Sequence, residues 1–477
     1  MKGFKLGSRA LLCLQSLFLF VGIGTIWYSC YYYSLLWLEG YSYFTSLPDL
    51  KSVLALFPDD AFKYAGAFLL QFFYNPLCGA AIQAGFATWI MICTGIIVIK
   101  LCRKPSEMLW LAFIPVPFYI FGQFWDLSLE RSVIWCLSAL GIMCFVCLIS
   151  LWKQPAFTFY KWLRHPIIRI LIPLVSFVLS AYFLLGYDKG NKNQELFGKL
   201  EYLGSHQQWE EILSLIPPQD AQQNELKRRY ALLALSETGR LSEHMFRYGI
   251  TNPREFLFFN REEPFCRNFN TLFYRSIGLP NEVIHQCYQL GIQSNFGFSF
   301  TVLRRLADTY IELKDYELAK KYMDILSHSF FQKTWVEERI PLLKAIKGQK
   351  PEYVMKGESF TVGSFLETIS SVYDRYPQNR KYADLLLCGI LADKNGNSFY
   401  QVFQIIAKHL YANGEKIPRY YEEALLLISP HEKDILEKYS ISQESKDRFQ
   451  IFTQMVKSGR INAAKMKYPD SFWAYIY

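Results

Sequence analysis

Between Lys63 and Lys100 the chain runs for 36 residues without a charge, and Gln71, Asn75 and Pro76 stand inside that run. One membrane helix needs about 20 residues, and two with a turn need more than about 40, so length alone decides nothing. Charge placement does. A single crossing returns Lys100, Arg103 and Lys104 to the side of Lys2, Lys5 and Arg9, and brings Lys153, Lys161, Arg164 and Arg169 there too. Two crossings put those seven cations on the far side, against the preference of basic residues for the cytoplasmic face. The run is therefore read as one span near residues 77–99. Before it comes a re-entrant or interfacial helix over about 60–75, ended by Asn75-Pro76, because proline lacks a donor and bars helix from the residue before it. Irregular backbone at membrane depth has to be covered by protein. Gln71, Asn75 and Gln123 are the polar candidates for a cavity there, and the plainer alternative is an interfacial anchor.

Four other stretches have crossing length: roughly residues 9–31, within an uncharged run from Ala10 to Leu38, and the uncharged Met108–Trp125, Ser132–Trp152 and Ile170–Tyr187. The first is too long for a signal-peptide core and lacks a small-residue cleavage site, so it reads as a retained span, with Trp27, Tyr28, Tyr31, Tyr32 and Tyr33 at the far interface. Five crossings place the N-terminus in the cytoplasm and everything after Asp188 outside it. Composition changes at the same point. There are 13 Lys/Arg and 7 Asp/Glu through residue 187, and 38 and 35 after it. The chain thus divides into a transmembrane domain, 1–189, and an extracytoplasmic domain, 190–477. The positive charge lies at the ends of apolar segments rather than in a basic patch interleaved with aromatics, so membrane lipid, not nucleic acid, is the expected partner of the first domain. Residues after 190 hold no Asn-x-Ser/Thr acceptor, in keeping with a bacterial inner membrane and a periplasmic second domain.

The second domain shows helical periodicity in short units broken by Gly, Pro or Asn, and no alternating strand pattern. In "TVLRRLADTYIELKDYELAKKYMDIL", Leu306, Ala307 and Tyr310 line one helix, the chain turns at Asp315-Tyr316, and Ala319 lines the next. These positions resemble the tetratricopeptide repeat, in which small residues let two helices pack closely. Trp209 takes the place of Tyr316 in "KLEYLGSHQQWEEILSLIP", and Leu241 follows Trp209 by 32 residues. Residues 406–428 read as a final pair. The expected fold is all-α: a polytopic helical membrane domain of about five spans plus one re-entrant or interfacial helix, followed by an α-solenoid of about four to six stacked pairs.

Recognisable chemistry is sparse. The seven histidines are isolated, Cys144 and Cys147 lie mid-span, and no phosphate-binding loop, dinucleotide fingerprint or nucleophile elbow occurs, so no metal or cofactor is expected. Asp59 and Asp60, just before the long uncharged run, are the weak catalytic candidates, and an acidic helix start explains them as well. Glu262-Glu263 is a second acidic pair.

"FLLQFFYNPLCGA", "LALSETGRLSEHMFRYG" and the chain end "YPDSFWAYIY" resemble an uncharacterised family of multi-span membrane proteins of Bacteroidetes. The resemblance implies an inner-membrane location and a periplasmic helical-repeat half, and brings no catalytic residues. Two functions fit. One is a scaffold whose repeat groove binds an envelope protein or peptide, because solenoids present long concave surfaces. The other is a membrane enzyme or transport component acting on a lipid-linked or envelope sugar substrate.

Overall fold

The computed structural model describes residues 7–45, 58–123, 129–152, 165–190, 194–259, 261–293, 298–352, 364–411, 415–430 and 435–477, and every regular element among them is helical. The chain forms two compact units. Unit 1 comprises Met1–Lys199 and Leu290–Glu352, and unit 2 comprises Leu200–Gln289 and Tyr353–Tyr477. The composition change at 189/190 puts Leu290–Glu352, with its clear repeat, in the second domain, whereas its contacts place it in unit 1.

Four helices of unit 1 are long and apolar enough to cross a membrane: α1 (Ser8–Cys30), α4 (Pro76–Leu101), α6 (Glu130–Trp152) and the Pro166–Gly186 part of α7 (Pro166–Gly190). Between α1 and α4 lie α2 (Tyr32–Gly40) and α3 (Pro58–Leu70). The expected single span Met108–Trp125 needs correction: Leu109–Phe113 is a 3-10 turn, and α5 is the nine-residue helix Pro115–Gln123. Pro115 and Pro117 explain the interruption, since neither can donate a helical hydrogen bond. The helix alone reaches about 14 Å. With the turn, at about 2 Å per residue, the segment extends about 24 Å.

Pairwise contacts give each segment a direction. Leu12 sits over Gly95 and Gly24 over Ala84, so α1 and α4 are antiparallel. Phe113 accepts from Ser176 Oγ at 2.7 Å, and the Phe121 and Phe183 rings are 5.2 Å apart, so the broken segment runs parallel to α7. Glu107 lies 3.7 Å from Arg169 at the start of both. Gln83 is linked through Gln123 to Ser132, and Trp89 Nε1 donates to the Cys136 carbonyl at 3.3 Å, so α6 runs parallel to α4. Five segments therefore traverse this bundle, and the fifth ends away from the N-terminus. Small residues in α4 (Gly79, Ala80, Ala84, Ala87, Gly95) admit the neighbouring backbones, which is how helices approach where the hydrophobic effect between them is weak. Phe145, Leu148 and Ile170 are exposed on α6 and α7, an apolar surface suited to lipid.

The long uncharged run takes the order helix, break, span. α3 gives way to a 3-10 turn, Gln71–Tyr74. Asn75 is then extended (φ −104°, ψ 112°), and its Oδ1 accepts from Leu77 N at 3.0 Å to cap α4, with Pro76 at the first position, where a missing donor costs nothing. The break is covered from the other half of unit 1. Phe331 lies 5.4 Å from Phe72 and 6.0 Å from Tyr74, and Phe330 N donates to Gln71 Oε1 at 3.3 Å.

Among the described residues one local motif recurs six times. A helix ends, one residue adopts a left-handed conformation, and a second helix starts two residues later: Gln207 before Trp209, Gly239 before Leu241, Gly278 before Pro280, Lys314 before Tyr316, Lys394 before Gly396 and Gly459 before Ile461. In each, the next amide reaches back five residues, as in Gln208 N to Leu203 O (2.9 Å), Arg240 N to Leu235 O (2.8 Å) and Asp315 N to Tyr310 O (2.9 Å). This pairing satisfies carbonyls that a helix end leaves open. Trp209, Leu241 and Tyr316 thus hold one structural position, the first residue of a second helix. In the Phe300–Glu312 and Tyr316–Ser327 hairpin, Leu306, Ala307 and Ala319 are fully buried, while Tyr310 stacks on Tyr322 at 5.7 Å rather than on the half-buried Tyr316. Residues 406–428 take in the end of helix Gly396–Leu410 and the whole of helix Arg419–Ile428.

The chain end is built into unit 2. Trp473 is fully buried beside Phe449 and Phe452, its Nε1 donates to Glu423 O at 2.8 Å, and Tyr475 donates to Thr251 O at 2.7 Å and Ala392 O at 2.6 Å.

Candidate functional site

Unit 2 carries a half-open cavity of about 540 Å³ whose lining includes Arg254, Arg261, Arg267, Tyr274, Gln286 and Gln289. Its frame follows from local sequence. Asn252 caps a 3-10 turn, Pro253–Phe256, by accepting from Arg254 N at 2.9 Å, and the chain then extends through Phe258. Asn270, on helix Pro264–Ser276, clamps that segment from both sides: its Oδ1 accepts from Phe258 N at 3.0 Å and its Nδ2 donates to Phe258 O at 2.8 Å. From behind, the Arg229 guanidinium lies 3.9 Å over the Phe258 ring, held by Glu225 at 2.8 Å. Phe256 stacks on Phe365 at 4.5 Å, which fixes Ser364, the cap of helix Phe365–Arg375, at the rim. Helix Pro280–Gln293 supplies His285, Gln286 and Gln289.

The electrostatics favour an anion. Arg261 shares its charge with Glu225 (3.4 Å) and Glu263 (3.5 Å). Arg254 and Arg267 have no carboxylate within ion-pair distance among the described residues. Arg267 Nε and Gln286 Oε1 are buried without a hydrogen bond, and Gln286 is only 8% exposed. Buried polar atoms without partners are uncommon in folded chains and ask for an explanation. Tyr274 is 4% exposed, and burial, with Glu282 close by, pushes its hydroxyl up, so it remains a neutral donor. Glu262 is the one acid in the lining among the described residues, and Glu282 pairs with His285 at 3.6 Å when the imidazole is protonated.

The polar residues expected in the membrane half lie in separate places. Gln71 joins α3 to Phe330 and donates to Phe68 O at 3.3 Å, and Asn75 caps α4. Gln123 meets Gln83 (3.1 Å), Ser132 (3.0 Å) and Tyr119 in a closed network within the bundle. Asp59 and Asp60 fall in the first turn of α3, and their side chains lie outside the described residues. Glu262 is at the cavity, and Glu263 precedes helix Pro264–Ser276.

Sequence reading passed over two features. The cavity arginines look like ordinary surface charge when spaced along the chain, because residues 254–267 hold three arginines and three glutamates and so give no excess of charge to notice. The other is Glu39 in α2, the sole acid among the first 48 residues and only 2% exposed. It accepts from Gln332 Nε2 at 2.6 Å and lies 3.5 Å from Arg304. Burial raises its pKa, opposed by Arg304 and Gln332. The network ties α2 to helices Phe300–Glu312 and Gln332–Ala345 within unit 1. Among the described residues no three His, Cys, Asp or Glu side chains gather as a metal site.

A model of a family of unknown function (DUF6057) matches residues 8–188 and 185–477. No curated protein and no solved structure matches.

Proposed function

The chain belongs over nearly its whole length to this family of unknown function, which assigns no activity, and from the geometry we propose that it is a membrane-anchored scaffold. In this reading α1, α4, the broken segment 109–123, α6 and α7 cross a bacterial inner membrane with the N-terminus cytoplasmic, and a tetratricopeptide-like helical domain in the periplasm binds an envelope protein or peptide. The cavity in unit 2 carries the proposal: a built, polar, cationic recess on a helical-hairpin framework is a recognition site that needs no reacting group. Supporting the topology, the broken segment runs from the end of the bundle holding Glu107 and Arg169 to the end holding Gln83 and Ser132. Its irregular backbone is buried at Leu109, Ala112 and Phe113, as membrane depth demands. An odd number of crossings also leaves Lys153, Lys161, Arg164 and Arg169 on the cytoplasmic side.

The test is site-directed photo-crosslinking in intact membranes. A photoreactive residue at Gln289 should give one discrete adduct that the same residue at Lys465, on another hairpin, does not. Identical adducts from both positions would remove the scaffold reading. So would hydrolysis or transfer of a lipid-linked sugar by the purified full chain that an Asp59→Ala, Asp60→Ala variant abolishes.

A further inference from the structure

We propose that the unit 2 cavity receives an acidic peptide segment, with Arg254 and Arg267 as the carboxylate receptors. This rests on the scaffold reading and names its partner's chemistry. Among the described residues three arginines and one glutamate line the cavity, and the two arginines on the 3-10 turn and on helix Pro264–Ser276 have no carboxylate within ion-pair distance. A guanidinium presents a planar fork that matches a carboxylate with two parallel bonds, and such charge-assisted pairs are roughly twice as strong as neutral ones. Arg267 Nε and Gln286 Oε1, buried and unpartnered, lie among residues that line the same space. Gln286 and Gln289 each carry a donor and an acceptor, the complement a peptide main chain requires and a free phosphate does not. Tyr274 adds a hydroxyl that stays protonated. The volume falls within the ~300–1,000 Å³ of sites that engulf a small ligand, enough for a short segment rather than a folded surface.

Against this stand Glu262 in the lining and Glu367 in the first turn of helix Phe365–Arg375. Each offsets part of the positive charge, and three arginines against one lining glutamate still leave the recess cationic among the described residues.

The full chain in detergent micelles is titrated with a fluorescent alternating Gly-Glu peptide and with its Gly-Gln counterpart, and inorganic phosphate serves as competitor. The Gly-Glu peptide should bind and the Gly-Gln peptide should not, with affinity falling as salt rises. Arg254→Gln and Arg267→Gln should each weaken binding by about tenfold or more, as loss of one charge-assisted pair does. Arg460→Gln, on a distant hairpin, should leave binding unchanged. Arg267→Lys, which keeps charge but loses the fork, should fall between wild type and Arg267→Gln, so a folding defect is told apart from a lost contact. Equal binding of the two peptides overturns the proposal. So does unchanged binding by the Arg254→Gln, Arg267→Gln double variant, or complete displacement by phosphate at the peptide's own concentration. If the Gln289 adduct persists in that double variant, the scaffold stands and the acidic-segment assignment falls.

Discussion

Asp384 offers the sharpest quantitative test of unit 2. It lies on helix Arg380–Ala392, is 5% exposed, and accepts from the Tyr421 hydroxyl at 2.7 Å. Burial raises its pKa from 3.8 to about 6; Tyr421 and Arg380 pull it down, and Glu243 pushes it up. The folded state therefore holds a proton that the unfolded chain releases at lower pH. The stability this proton carries is fully present below about pH 4 and is lost as pH rises through about 6. Each pH unit in that window is worth about 1.4 kcal/mol, so the whole effect is about 3 kcal/mol. Asp384→Asn keeps an acceptor for Tyr421 and abolishes the titration. The difference in melting temperature, variant minus wild type, should then grow across the window by about 6–12 °C for a unit of this size and level off above it. Other carboxylates titrate in both chains and cancel in the difference. Melting curves of the purified full chain from pH 4 to 8 measure it. A difference that is flat over that range, or that shrinks as pH rises, refutes the reasoning.

Other outcomes follow from burial and pairing. Trp473→Ala should cost about 3–5 kcal/mol and make the C-terminus an early site of proteolysis, because the indole is fully buried and bonded to Glu423 O. Arg304→Leu strands Glu39 without its cation and should destabilise unit 1 by about 3–5 kcal/mol. Adding Glu39→Gln to that variant should recover part of the loss, and strictly additive effects would show the two side chains to be independent. Reporters fused after residues 104 and 190 should read cytoplasmic and periplasmic respectively, and a cytoplasmic reading at 190 would show that the broken segment does not cross.

What could be read from the residues alone follows the range of each interaction. α1, α4, α6 and α7 announce themselves because an apolar helix long enough to cross a membrane is a local property of 20 or so residues. The third passage misleads because a hydrophobic count registers apolar residues and not the missing donors of Pro115 and Pro117. Of the six left-handed turns, Gly239, Gly278 and Gly459 carry a glycine that marks a helix end, whereas Gln207, Lys314 and Lys394 adopt the same backbone with no composition signal. Trp209, Leu241 and Tyr316 each start a helix two residues after such a turn, and their spacing along the chain is what makes them stand out. Glu39 and Arg304 are 265 residues apart. No periodicity or spacing rule reaches that far, and the cavity likewise assembles Arg254, Arg267 and Gln286 from three elements.

Unit 1 is interrupted in the chain, and this has a consequence for the order of its synthesis. Its last part, Leu290–Glu352, is translated only after ninety residues of unit 2 have been made. At about 5–20 residues per second, some 8–30 s separate Lys199 from Glu352. Until Arg304 is made, 105 residues after Lys199, the carboxylate of Glu39 lacks its cation, and until Phe330 and Phe331 follow, Gln71 and Phe72 lack the tip that covers them. A nascent chain paused there presents a bare polar group beside an aromatic face, so truncations ending before Arg304 should be cleared by proteolysis faster than those ending after Glu352.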